Sequence, residues 1–132
     1  MADIDLAVAR ELKQLERLGL LEPGEILSEV ELAVLGAEPG ALIVTDKRVL
    51  FVRTTLLRKR TRVVAVPLLE ISGAEGDVGR WLGRELGVLR LAATSTCRAG
   101  TDFSFERIPG GQTRADELAT TILRQRDLLR RA

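Results

Sequence analysis

GALIVTDKRVLFV, residues 40–52, is the stretch that decides the fold. Two apolar segments, 41–45 and 49–53, lie on either side of Asp46-Lys47-Arg48. An aspartate at such a position can hydrogen-bond its own backbone and tighten a turn. The stretch therefore predicts two antiparallel strands joined by a short hairpin.

Strand-like segments continue before and after this hairpin. Residues 28–34 alternate with a period of two, which indicates a half-buried strand, and residues 36–40, with Pro39, predict a turn. In the same strand, Glu29 and Glu31 share a face that we expect to point to solvent. Four further strands are expected at 62–66, 70–74, 88–93 and 101–106.

Two details of this region bear on function. The last strand places Phe103 and Phe105 on one face. Between the strands at 70–74 and 88–93, the glycine-punctuated stretch 76–87 predicts a loop that carries Trp81 and one short helical turn. Glycines in such a stretch read as turn residues, because their spacing matches no dinucleotide or phosphate-binding motif.

Helical periodicity appears at both ends of the chain. Residues 3–18 carry one apolar stripe, while basic residues lie on the opposite side. The stripe is formed by Ile4, Val8, Leu12, Leu15 and Leu18, and the basic side by Arg10, Lys13 and Arg17. Near the other end, Thr113 followed by Asp116 resembles a capping box that starts a helix over residues 113–131.

Composition limits the possible functions. The chain has 132 residues, 45% of them hydrophobic, which suits one domain with a packed core. A net charge of +1 gives no general attraction to nucleic acid or membranes. The single cysteine, Cys97, is expected to be a small buried apolar residue. An acidic start and the lack of a long apolar run predict a cytoplasmic protein.

Catalysis has little support in the residue inventory. The chain contains no His and no Tyr, so the commonest general base is absent together with the commonest neutral metal ligand. Cys97 has no histidine partner, and the carboxylates are scattered among basic residues. We expect no enzyme activity, no metal site and no cofactor.

Several segments resemble one known family. Residues 40–52 resemble the Gly-apolar-Thr-Asp-Lys-Arg-apolar-Phe hairpin of bacterial pleckstrin-homology-like domains, which are related to the GRAM domain. Pro23-Gly24-Glu25 resembles the family's opening Pro-Gly-Glu strand, and residues 66–71, VPLLEI, resemble its Ile-Pro-Leu segment. Phe105 followed by a helix is similar to the family's ending. The resemblance covers about residues 23–126.

The resemblance implies a mainly β, α+β fold. A seven-stranded barrel of two near-orthogonal antiparallel sheets would be capped by the C-terminal helix. The predicted domains are 1–22, an amphipathic helix and linker, and 23–132, the barrel with its helix at 113–131. The N-terminal helix lies outside the matched region, and we expect it to cover a sheet edge or a partner's groove.

Two departures separate this chain from eukaryotic relatives. The turn at 36–40 corresponds to the loop that carries their basic phosphoinositide-binding residues, but here it holds Glu38 and no Lys or Arg. The aromatic residue often found in their terminal helix is also missing. The resemblance therefore implies the fold and does not extend to phosphoinositide binding.

The sharpest local feature is a basic segment, RTTLLRKRTR, at residues 53–62. A loop of this kind could dock on an anionic bilayer, because each basic residue near the surface contributes about 1 kcal/mol and leucines can insert. The alternative is a solvated hairpin whose leucines fold back onto the barrel. The candidate ligand- or membrane-binding residues are Arg53, Leu56, Leu57, Arg58, Lys59, Arg60 and Arg62.

A second candidate for interaction is the apolar group Trp81, Leu82 and Leu86, flanked by Arg80 and Arg84. Tryptophan is enriched at the energetic centres of protein interfaces. The alternative interpretation is a core-filling tryptophan that closes one mouth of the barrel.

The sequence as a whole favours a binding or scaffolding module that contacts another protein or copies of itself. Peripheral attachment to an anionic membrane, at the inner membrane face, is the second hypothesis. Nucleic-acid binding is not expected, because the chain lacks aromatic stacking platforms and a groove-reading helix.

Overall fold

The computed structural model describes residues 21–54 and 61–132. Within them the chain forms seven β-strands, a 3₁₀ turn and one α-helix. The strands are β1 (Leu27–Leu35), β2 (Glu38–Thr45), β3 (Arg48–Thr54), β4 (Thr61–Pro67), β5 (Ile71–Trp81), β6 (Arg84–Ala93) and β7 (Asp102–Ile108). The 3₁₀ turn is Leu68–Glu70, and the helix α1 is Gly111–Arg131. The helix predicted at residues 3–18 lies outside the described residues.

The strands form one antiparallel sheet in the order β4-β3-β2-β1-β7-β6-β5. The junction between β1 and β7 is narrow, joined through Val34 opposite Glu106 and Leu35 opposite Phe105. This junction divides the sheet into a four-stranded part and a three-stranded part. The two sheets predicted from the sequence are thus parts of one curled sheet. The predicted fold, seven antiparallel strands closed by a C-terminal helix, is confirmed.

The main core lies between the inner face of the curled sheet and α1. Phe105 is central: its ring centroid lies 5.6 Å from that of Phe51 and 6.2 Å from that of Phe103. The shared face predicted for Phe103 and Phe105 is therefore correct. Cys97 is buried in the same core, as expected. The helix contributes four buried apolar residues at helical spacing: Ala115, Leu118, Ala119 and Ile122.

The hairpin residues that resemble the family motif form a hydrogen-bonded cluster with Glu25. The Arg48 guanidinium donates to both carboxylate oxygens of Glu25, at 2.9 Å each. The Thr45 hydroxyl donates to the same carboxylate at 2.6 Å and accepts the backbone N–H groups of Lys47 and Arg48. Asp46 accepts the backbone N–H of Ile26 at 2.9 Å. The motif therefore fastens the residues before β1 to the β2–β3 turn.

Burial and hydrogen bonding act in opposite directions on Glu25. Burial disfavours its charged form, but hydrogen bonds from Arg48, Thr45 and the backbone N–H of Glu22 outweigh this effect and lower its pKa to about 2. The Glu25 side chain has no solvent-accessible surface. The carboxylate is thus a buried, ionised group that depends on its donors.

The prediction of a loop over residues 76–87 is wrong, because β5 and β6 continue through this stretch as one long hairpin. Two of its glycines, Gly76 and Gly87, are required by the helix. A Cβ atom on Gly76 would lie 2.6 Å from the backbone nitrogen of Asp116, and one on Gly87 would meet the carbonyl oxygen of Gly111. Glycine within a strand marks such a close backbone approach. The first turns of α1 can therefore lie directly on β5 and β6.

Two other local predictions also differ from the structure. Thr113 does not cap α1: the N-cap is Gly110, with a φ of 94°, and no side chain makes a capping hydrogen bond. The turn predicted at 36–40 is shorter, because β2 already begins at Glu38. Gly36 and Ala37, with φ of 56° and 67°, form a tight turn in the left-handed region.

The contact at Gly76 gives a test of how closely α1 rests on the sheet. We expect Gly76→Ala to destabilise the protein by about 1–3 kcal/mol, because the added methyl group displaces the helix. Gly73→Ala is the matched control on the same strand, since its Cβ would meet nothing within 4 Å. Urea unfolding of the two variants measures the difference, and equal stabilities would contradict this packing.

The Glu25 cluster predicts a pH dependence of stability. A carboxylate whose pKa falls from about 4.5 in the unfolded chain to about 2 in the folded one stabilises the fold above pH 4.5. This contribution, about 3 kcal/mol, is lost as the pH falls through that window. Glu25→Gln should therefore be less stable than wild type at pH 7, with a smaller difference at pH 3.

Urea unfolding at both pH values measures this effect. Glu75→Gln serves as the control, because Glu75 is exposed on β5. A stability difference between wild type and Glu25→Gln that is the same at pH 7 and pH 3 would contradict the assignment.

Candidate functional site

The tip of the β5–β6 hairpin presents apolar side chains to solvent. Leu82 is 80% exposed and Trp81 is 43% exposed. Leu82 and Gly83 connect the strands with φ of 51° and 76°, so both central residues of the turn are left-handed. Turns of this type favour Asn-Gly, and a leucine in the left-handed region costs roughly 1–2 kcal/mol. An apolar side chain here is costly in backbone strain and in exposure, which makes the tip a candidate site.

Arg107 covers the tryptophan from β7, which is separated from β5 by β6. Its guanidinium carbon lies 4.2 Å from the centroid of the Trp81 ring, within cation–π distance. Arg107 has a φ of 56° and lies where β7 has one residue more than β6, between the Gly87–Ile108 and Leu89–Phe105 pairs. Such a β-bulge re-aims a side chain.

Arg107 also lines a groove of about 360 Å³. Leu32, 62% exposed, and Pro39 line it on β1 and β2, and Pro109 lines it after β7. Arg107 belongs both to this groove and to the tryptophan stack, so the groove and the hairpin tip form one continuous surface. We refer to it as the Trp81 surface, comprising Leu32, Pro39, Trp81, Leu82, Arg107 and Pro109.

The charges beside the Trp81 surface are mainly positive. Arg80 and Arg84 are exposed at the hairpin tip, and Arg107 lies over the ring of Trp81, which is between them in sequence. Arg80 forms an ion pair with Glu85 at 3.8 Å, but both side chains are exposed, and pairs of this kind contribute little energy. A ligand on this surface would therefore meet apolar area bordered by guanidinium groups.

The residues predicted from the sequence around Trp81 lie on this hairpin. Trp81 is exposed and outside the core, so the alternative of a core-filling tryptophan is wrong. Leu86 is half-buried and pairs with Gly79, on the same face of the hairpin as Trp81 by register. Sequence reasoning missed Arg107, Leu32 and Pro109, because they are distant from Trp81 along the chain. Strand order brings Arg107 to the Trp81 ring, and Leu32 and Pro109 line the groove together with Arg107.

The basic segment has a different position. Arg53 pairs with Arg62 and Thr54 with Thr61 across β3 and β4, so residues 55–60 connect the two strands. Leu56, Leu57, Arg58, Lys59 and Arg60 lie outside the described residues. The Arg53 guanidinium is 3.2 Å from the Glu38 carboxylate and 5.9 Å from the centroid of the Phe51 ring. Arg53 therefore also has a structural role beside Glu38, at the start of β2.

The expectation that Glu29 and Glu31 face solvent is wrong. Arg114 of α1 donates hydrogen bonds of 2.8 Å to both carboxylates. Burial disfavours the charged form of Arg114, yet the hydrogen bonds to Glu29 and Glu31 raise its pKa above the ordinary value. The cluster fastens α1 to β1, and the signal for it in the sequence was the i, i+2 pair of glutamates on one strand face.

In residues 21–54 and 61–132, no group of three or more metal-ligating side chains comes together. The same part of the chain contains no helix that is long and apolar enough to span a membrane.

Comparisons with known proteins agree on the fold. No protein-family model matches the sequence, and no curated protein is significantly similar to it. A pleckstrin homology domain from Shewanella amazonensis superposes with a TM-score of 0.59 at 16% identity, over 86% of this chain and 96% of that one. The hSac2 domain of the human phosphoinositide phosphatase Sac2 gives a TM-score of 0.63 at 10% identity, over 95% and 84%. The chain therefore has a pleckstrin-homology-like fold.

Proposed function

We propose that the chain is a non-catalytic binding module whose Trp81 surface binds a protein partner. The partner segment is expected to be apolar and to carry carboxylates. One observation carries the proposal: Leu82 is 80% exposed in a strained left-handed conformation, beside the Trp81–Arg107 stack. Asparagine at this position would relieve both the strain and the exposure, so a binding role is what explains the leucine.

The composition of the surface agrees with a protein interface. Trp and Arg are enriched among the residues that dominate binding energy, and they act best near the centre of a desolvated patch. Covering the Leu82 side chain would contribute about 2 kcal/mol. Arg80, Arg84 and Arg107 favour a partner with carboxylates and would increase the association rate at low salt.

The absence of catalysis is part of the proposal. The chain has neither His nor Tyr. Several carboxylates of the described residues form ion pairs with arginines, such as Glu25 with Arg48 and Asp77 with Arg90. The Glu25–Arg48 pair is closed to water on the Glu25 side, and it helps to hold the pKa of Glu25 far below neutrality, so this carboxylate is poorly suited to proton transfer. We propose that the protein is cytoplasmic and that its function involves neither a cofactor nor a nucleic acid.

A second candidate function is attachment to an anionic membrane through Arg58, Lys59 and Arg60. The strand ladder supports it, since the pairs Arg53–Arg62 and Thr54–Thr61 bring two more arginines to the base of the same loop. A module of this kind would lie at the inner membrane face.

The family relationship proposed here, to bacterial GRAM-related domains, is supported by the way Glu25 joins the Thr45-Asp46-Lys47-Arg48 turn.

Leu82→Asn tests the protein-binding proposal through two effects of opposite sign. Asparagine tolerates the left-handed turn, so the variant should be more stable than wild type by about 1 kcal/mol. It should also bind partner segments at least about tenfold more weakly, because it lacks the apolar side chain. Leu69→Asn, at a leucine 56% exposed elsewhere, is the matched control.

The probe is a random peptide library displayed on phage and selected on the wild-type protein. We expect enrichment of apolar peptides with Asp or Glu, whose affinities are then measured by calorimetry. Leu82→Asn and Arg107→Ala should weaken binding, whereas Leu69→Asn should not. Failure to enrich such peptides, or equal binding by all variants, would overturn the proposal. Self-association through the same surface would instead appear as a dimer in sedimentation equilibrium that Leu82→Asn dissociates.

Liposome co-sedimentation tests the membrane function. Wild type is compared with Arg58→Glu/Lys59→Glu/Arg60→Glu on neutral and anionic vesicles at low and physiological salt. A membrane module should bind anionic vesicles, lose binding as salt rises, and lose it completely in the triple variant. Wild type that stays in the supernatant in all conditions would exclude this function.

A further inference from the structure

The four-stranded part of the sheet is apolar on both faces. Besides the inner core, a second cluster of buried residues lies on its outer face: Ala41, Ile43, Leu50 and Val52. Ile43 and Leu50 have no solvent-accessible surface, and Ala41 and Val52 are each 3% exposed. An outer sheet face that met only water would not bury its central side chains completely. Something covers this face.

The described residues do not supply the cover. Val30, Val63 and Ala65, which pack against the cluster, belong to the same sheet face by register, as partners of Ile43, Val52 and Leu50. Leu27 begins β1, and Leu21 lies at the start of the described chain. Leu21 packs onto the cluster, so the polypeptide that precedes it reaches the sheet at this face.

We propose that residues 3–18 form the cover, an amphipathic helix whose apolar stripe packs on the outer face of β1–β4. A helix of 16 residues is about 24 Å long, and four strands span about 15 Å, so one helix can cross all of them. The stripe Ile4, Val8, Leu12, Leu15 and Leu18 supplies aliphatic side chains for an aliphatic surface, and the basic side would face water.

Residues 55–60 are a poorer cover for the same surface. They leave the sheet at Thr54 and Thr61, and a six-residue loop that folds back reaches about 10 Å. Leu50 lies four residues from Thr54, about 13 Å along the strand, and Ile43 lies beside it. Six residues anchored at these two points are therefore too few to reach the centre of the cluster.

A helix packed on the outer face would determine which surfaces of the sheet remain accessible to partners. Leu32 lies on the same outer face, opposite Ala41, yet it is 62% exposed and lines the groove of the Trp81 surface. The helix would therefore close the centre of the outer face and leave its Leu32 end open. This inference does not depend on the proposed protein-binding function, because it rests on the burial of Ile43 and Leu50.

Substitutions in the stripe test the proposal in the full chain. Leu12→Asp/Leu15→Asp places charges in the apolar stripe and should lower the Tm by roughly 10 °C. It should also increase the fluorescence of an added hydrophobic dye, because the outer face becomes exposed. Lys13→Asp/Arg17→Asp, on the opposite side of the predicted helix, is the matched control and should leave both readouts close to wild type. Equal behaviour of the two variants would overturn the proposal.

A spin label distinguishes this segment from a second copy of the chain. Gln14→Cys is labelled in a Cys97→Ala background, and the amide resonances of residues 41–44 and 49–52 are observed. Broadening within the labelled molecule supports the proposal. Broadening only when labelled chains are mixed with unlabelled ¹⁵N chains would show that a second copy covers the face. No broadening in either sample would show that residues 3–18 do not pack on this face. Both of these results overturn the proposal.

Discussion

The buried carboxylate of Glu25 is the interaction on which the arrangement of the chain depends. It lies before the first strand, yet its three side-chain hydrogen bonds come from Thr45 and Arg48 at the β2–β3 turn. Replacing Arg48 would remove two of these hydrogen bonds and the balancing charge from an ionised group whose side chain is closed to water, a loss that costs several kcal/mol. The cluster therefore fixes where the polypeptide enters the sheet, and it places Leu21 against the outer apolar face.

A second constraint acts at the opposite end of the sheet. The helix α1 approaches β5 and β6 so closely that Gly76 and Gly87 leave no room for a Cβ atom. Arg114 holds the same helix to β1 through Glu29 and Glu31. Since the two parts of the sheet share few backbone hydrogen bonds at the β1–β7 junction, the helix and the aromatic core carry much of the connection between them.

Local sequence patterns were sufficient for much of the fold. The apolar segments around Asp46, the paired phenylalanines and the C-terminal helix all correspond to observed elements. The β5–β6 hairpin was missed because its glycines, read locally, indicate turns, whereas their actual role depends on a helix more than twenty residues further along the chain. In the same way, Trp81 and Leu82 could be singled out by residue type, but their partner Arg107 could not. Its position depends on strand order and on an extra residue in β7.

The glycines of β5 have a further consequence, for solubility. In the described sheet β5 is the outermost strand next to β6, and its other edge has no strand neighbour. A long exposed edge of eleven residues is a template for pairing with another chain and thus for aggregation. Glycine lowers the tendency of such an edge to recruit strands, and Glu75, Asp77 and Arg80 add charges along it. Gly76, which admits the helix on one face of β5, therefore also helps to make this edge a poor nucleus for amyloid-like stacking.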